Sequence, residues 1–223
     1  MVKTEEAVKS ISLERVVTQE DVKAFLEATS DTNPLHRFNY YAAKAGFANL
    51  VVPAMYLVGV YMATTKPHPR NSCFTFKGPL YIGDKLNIES NEESAILTGN
   101  GNLIAEVKVK HPLSQFHNFD SKYEAMITDE SLEKFLTSLK LNTSDRDASS
   151  IYPSIFAISQ LSPALIERNG GNPGFVNGIW IYCKLSLESR YDNHCIPIKD
   201  GDIVTVLMGE GKITKRWFKP SYT

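Results

Sequence analysis

The chain has 223 residues, 43% of them hydrophobic, enough to bury a substantial core as one large domain or two small ones. Its formal net charge is -1 and its basic residues are scattered, so the electrostatic footprint of a nucleic-acid binder is absent. The three cysteines, Cys73, Cys183 and Cys195, are odd in number, lack metal-ligand spacing and come without a visible signal peptide; this favours a reducing cytoplasm over a disulfide framework.

In chain order, the first clear element is Val17 to Leu26, an amphipathic segment with Thr18 placed to cap a short helix. Next comes Ser30-Asp31-Thr32-Asn33-Pro34-Leu35-His36, which sets a carboxylate and an imidazole close together on a Pro-stiffened turn. Pro34 restricts Asn33 to extended conformations and so helps to set the spacing of the two titratable side chains. Taken alone, Asp31 to Pro34 also reads as an Asx turn ending a helix. A small-residue stretch (Ala42, Ala43, Ala45, Gly46) leads to the apolar run Leu50 to Ala63, which predicts one buried helix with Pro53 near its start. That run is shorter than the roughly 20 residues needed to cross a bilayer, so no membrane association is expected. Lys66, His68 and Arg70 then form a small basic cluster that could meet phosphates or simply be a solvated loop. His68, His111, His117 and His194 lack metal-ligand spacing, and no metal is expected.

Beyond the apolar run the pattern turns to strands. Leu103, Ala105, Val107 and Val109 alternate with Glu106, Lys108 and Lys110, after a hairpin turn at Asn100-Gly101. The chain then echoes itself. Ile127 to Leu136 repeats Val17 to Leu26 with Thr128 as the cap; Thr143-Ser144-Asp145 repeats Thr29-Ser30-Asp31. Tyr152 to Ala157 repeats Val52 to Leu57, and Gly201-Asp202 repeats Gly83-Asp84 ahead of a strand carrying Val204, Val206 and Met208. Four matches in the same order argue for duplication, although the second copy lacks Asn-Pro-Leu-His. Ser138 to Ser150 is expected to be a mobile loop, Cys73 to lie in the core, and Lys212 to Lys219 to be a strand or tail.

The motif Asp31-Thr32-Asn33-Pro34-Leu35-His36, with Ala42, Gly46-Phe47 and Val52-Pro53-Ala54-Met55 at the right spacing, resembles the hydratase-2 signature of MaoC-like, R-specific enoyl-CoA hydratases and 3-hydroxyacyl dehydratases. The resemblance implies an α+β double hotdog: two curved antiparallel sheets, each wrapped around a long central helix. It places an N-terminal unit at 1-120 that keeps the motif and a degenerate unit at 121-223. It also gives Asp31 and His36 paired acid/base roles, with Asn33 holding the turn or the water. Ala54 would lend its backbone N–H to the thioester oxygen at the start of the central helix. Pro53 and Met55 would line the substrate, and Lys66 and Arg70 would meet coenzyme A phosphates. Four positions depart from the family pattern: Ser30 replaces the usual glycine, Asn39 the common aspartate, and Pro53-Ala54 the usual His-Gly.

The implied activity is a hydro-lyase acting on an acyl-CoA or acyl-ACP thioester without a cofactor, as a monomeric pseudo-dimer or a homodimer. A non-catalytic acyl-thioester-binding protein of the same fold is the alternative. A thioesterase is disfavoured, because no Asp or Glu lies between Leu50 and Ala63.

Overall fold

The computed structural model describes residues 11–65, 71–109, 121–126, 128–140, 184–188 and 203–208. Lys66, His68 and Arg70, the second copy's Tyr152 to Ala157, and the 212–219 segment lie outside these residues. Strand β1 (Ile11–Val16) is followed by helix α1 (Gln19–Ala28), a 3-10 turn (Pro34–His36) and helices α2 (Asn39–Lys44) and α3 (Ala54–Thr64). Strands β2 (Asn71–Phe76), β3 (Lys85–Ser90), β4 (Ser94–Gly99) and β5 (Asn102–Val109) come next. They precede β6 (Ser121–Met126), α4 (Asp129–Ser138), β7 (Lys184–Glu188) and β8 (Ile203–Met208). A six-stranded antiparallel sheet has the order β1-β3-β4-β5-β2-β7, and β6 pairs with β8. The α+β class expected from the sequence is therefore observed.

Helix α3 is the core of the molecule. Every residue from Met55 to Ala63 is buried, which a helix apolar on all sides requires. The inward residues of the sheet (Phe74, Phe76, Leu86, Ile88, Leu97, Ala105, Val107) pack against it, with Tyr61 edge-on to Phe74 at 5.4 Å. The apolar run does not form one helix from Leu50, as its composition suggested. Leu50 to Val52 are extended, Val51 bridges Tyr81, the Val52 amide donates to Leu80 O at 2.8 Å, and the helix begins only at Ala54. Pro53 is the reason: it disfavours helical geometry at Val52, and it stands at the N-cap, one position before the helical start expected for it.

The hairpin at Asn100-Gly101 forms as expected, with φ of 48° and 83° at the two positions, the paired left-handed conformation of a tight hairpin turn. The alternation after it needs correcting. Ala105 and Val107 are buried, but Leu103 is 40% exposed and Ile104 is buried instead. The register shifts between Leu97 and Thr98, so that Ile104 is an extra residue in β5 and reverses the faces before it. Cys73 lies in the core, and Ser138, expected in a loop, is the buried last residue of α4.

The sequence echo has structural counterparts. Thr18 and Thr128 both close full capping boxes on ten-residue helices. The residue just before each echo, Val16 or Met126, pairs with the residue just after a Gly-Asp dipeptide, Lys85 or Ile203. Phe25 and Phe135, at matching positions of the repeat, meet with ring centroids 6.1 Å apart where α1 packs on α4. Arg15 completes this contact. Its guanidinium donates to Leu139 O at 2.8 Å and Ser138 O at 3.3 Å, capping α4, and it also bonds the Tyr56 hydroxyl of α3.

Candidate functional site

The site is built on the way α1 ends. Ser30 takes the left-handed conformation, with φ of 52°. Its amide donates to Glu27 O at 3.3 Å and the Asp31 amide to Leu26 O at 3.1 Å. These two bonds form a Schellman motif, which turns the chain sharply and places Asp31 just past the helix. The Asx turn is present as well, because Asp31 Oδ1 accepts from the Asn33 amide at 2.9 Å. The structural reading of these residues and the functional one thus describe the same turn. Asn33 is buried; its Oδ1 accepts from the Leu35 amide at 3.1 Å and caps the 3-10 turn that carries His36.

His36 is fixed from the other side. Its Nδ1 donates to Val51 O at 2.7 Å, while the Val51 amide reaches Leu35 O at 3.4 Å. The carbonyl can only accept, so Nδ1 carries a proton, and when the ring is neutral Nε2 is its basic nitrogen. Val51 stands three residues before Ala54, so the same contacts bring the imidazole to the start of α3. There Ala54 is half-buried as the first helical residue, and helix geometry leaves the Ala54 and Met55 amides without intrahelical acceptors. Pro53 and Met55 are buried, with Met55 in the core cluster. Asn39 is the first residue of α2.

Asp31 is 4% exposed. Burial pushes its carboxyl above the ordinary carboxylate range, and His36, the Asn33 amide and Arg37 draw it partly back. A carboxyl whose pKa is higher in the folded than in the unfolded state favours folding fully below the ordinary carboxylate pKa. That contribution is lost as pH rises through the folded value. Asp31→Asn keeps an oxygen for the Asn33 amide and removes the buried charge. It is expected to be more stable than the wild type at about pH 7, with the difference closing toward about pH 4, as read from denaturant midpoints at both values.

Asp31, Asn33 and His36 therefore share one hydrogen-bonded turn, and the His36 bond to Val51 ties that turn to the segment leading into α3 and Ala54. Two participants carry no sequence signal of their own. One is the Val51 carbonyl, since any residue supplies one. The other is Arg37, whose Nε and Nη2 donate to Asp31 O at 3.0 and 2.6 Å. Among the described residues no group of three or more His, Cys, Asp or Glu could hold a metal ion, and no helix is long and apolar enough to cross a membrane.

Residues 8–104 match the family model of the FAS1-like dehydratase domain region. This part of the chain is similar to a FAS1-like dehydratase domain region. A mitochondrial 3-hydroxyacyl-[acyl-carrier-protein] dehydratase of Arabidopsis thaliana is 35% identical over 77 residues, covering 32% of this chain and 46% of the relative. A 3-hydroxybutyryl-CoA dehydratase of Methylorubrum extorquens is 29% identical over 84 residues, covering 34% and 54%. The chain thus spans about half the length of these curated relatives. The crystal structure of a MaoC-like dehydratase from Phytophthora capsici aligns over 92% of this chain and 87% of its own, with a TM-score of 0.59 and 11% identity, a likeness of fold. The matched residues include every site residue described above.

Proposed function

We propose that the protein is a hydratase/dehydratase that interconverts (3R)-hydroxyacyl and trans-2-enoyl thioesters of coenzyme A or acyl carrier protein. The observation that supports this reading best is a buried Asp31 carboxyl under the electrostatic influence of His36, whose ring is bonded to Val51 O three residues before α3 begins.

In the hydration direction a water lies between Asp31 and His36. Asp31 Oδ1 is committed to the Asn33 amide, so Oδ2 meets the water, and His36 meets it through Nε2. One of the pair removes a proton as the water oxygen bonds to C3. The C2–C3 π electrons move toward the thioester, and the developing oxyanion is held by the Ala54 amide with the favourable end of the helix dipole. A proton returned to C2 completes the addition, and dehydration is the reverse.

The reading includes a double hotdog, with unit boundaries near 1-120 and 121-223 and one site, in the first unit. The matching strand registers and the Phe25–Phe135 contact support it. Pro53 and Met55 line the path of the acyl chain, whereas Lys66 and Arg70 are proposed for the carrier phosphates from sequence alone. The protein works without a cofactor, in the cytoplasm, as a monomeric pseudo-dimer or a homodimer.

Mixing the protein with crotonyl-CoA and longer trans-2-enoyl-CoAs tests the activity through loss of the enoyl absorbance. Turnover is the expected result. Binding of every enoyl-CoA with no absorbance change would instead establish the non-catalytic acyl-thioester-binding role.

A further inference from the structure

Arg37 is exposed as a residue, yet its guanidinium turns inward onto main-chain carbonyls. Besides its two bonds to Asp31 O, Nη2 reaches Leu26 O at 3.5 Å. Leu26 O is the carbonyl that accepts from the Asp31 amide, so the planar cation straddles both ends of the Schellman corner. The Arg37 amide donates to Pro34 O at 3.2 Å, closing the loop that also carries His36.

At the turn of that corner stands Ser30, a residue whose Cβ disfavours the left-handed conformation that glycine takes freely. A helix end of this kind is usually secured by glycine. Here a side chain six residues beyond Asp31 grips the corner from outside, with charge-assisted bonds to carbonyl oxygens.

We propose that Arg37 is a positioning residue of the acid/base pair, clamping the corner that carries the Asp31 carboxylate and compensating for the missing glycine at position 30. The proposal rests on the hydratase reading. Arg37 has two separable effects. Its fork geometry holds the corner, which lysine cannot reproduce. Its charge acts on the carboxylate, and among the described residues His36 and Arg37 are the charged groups that act on Asp31.

The test compares Arg37→Lys and Arg37→Gln in the full chain, each with and without Ser30→Gly, by enoyl-CoA turnover and by NMR titration of the Asp31 carboxyl carbon. Arg37→Lys is expected to lower kcat roughly tenfold with the Asp31 midpoint near that of the wild type, since small misplacements of reacting groups are costly. Arg37→Gln is expected to lower kcat at least as much and to move the midpoint upward. Ser30→Gly is expected to recover most of the Arg37→Lys loss, because a glycine corner needs no external clamp. A wild-type kcat in Arg37→Lys, or the same loss with and without Ser30→Gly, would overturn the clamp. An unmoved Asp31 midpoint in Arg37→Gln would overturn the electrostatic effect. If the wild type does not turn over any enoyl-CoA, the hydratase reading fails and the catalytic assignment of Arg37 with it. The titration still decides independently whether Arg37 acts on the carboxylate.

Discussion

Asp31→Asn and His36→Ala are each expected to reduce the rate of enoyl-CoA hydration by about 10²–10⁴, the usual contribution of a positioned acid or base. Neither substitution should unfold the protein, since asparagine still accepts from the Asn33 amide and the half-exposed imidazole leaves no large cavity. The double variant is expected to be little worse than either single one, because two groups that hold one water act as a unit. Steady-state kinetics with crotonyl-CoA, alongside circular dichroism, measures both points. Full additivity of the two losses would mean that the side chains act on separate steps. Unchanged rates in both single variants would remove the site.

The largest effect on stability is expected from Phe135→Ala. Phe135 is fully buried on α4 against Phe25 of α1, and Phe25 is itself edge-on to Tyr56 of α3 at 5.5 Å. Truncating a buried phenylalanine costs about 3–5 kcal/mol through lost burial and the cavity left behind. Phe25→Ala should cost a similar amount. The double variant should fall short of the sum by about 0.5–1.5 kcal/mol if the rings interact directly. Chemical denaturation measures all four species of this cycle. By contrast, removing Lys134, which is paired with Glu27 at 3.3 Å on the half-exposed rim of the same interface, should cost far less, because solvent screens such a pair. A loss below about 1 kcal/mol for Phe135→Ala would show that α4 is not docked on α1 as described.

Local chemistry made much of this legible before any coordinates. Thr18 and Thr128 cap their helices because a hydroxyl three residues ahead of a backbone amide satisfies an orphan donor wherever it occurs. Asn100-Gly101 forms its hairpin because both residues tolerate positive φ. The grouping of Asp31, Asn33 and His36 was readable because all three lie within one turn. What was misread depended on neighbours distant in the chain or on a backbone irregularity. Leu103 faces outward because of a bulge that strict alternation cannot reveal. Leu50 to Val52 look as apolar as a helix, but Pro53 and the bridge to Tyr81 draw them into extended structure. Arg37 gave no signal, since an arginine after a histidine is ordinarily a solvated charge, and its role appears only when the Schellman corner folds beneath it. The left-handed Ser30 explains in retrospect why a glycine would be natural there.

The most direct test of the proposed chemistry is a crystal structure of the protein with a (3R)-hydroxyacyl-CoA bound. The C3 hydroxyl oxygen should lie within hydrogen-bonding distance of both Asp31 Oδ2 and His36 Nε2, with the thioester oxygen on the Ala54 amide. A hydroxyl that meets neither side chain, or a thioester bound away from the start of α3, would contradict it.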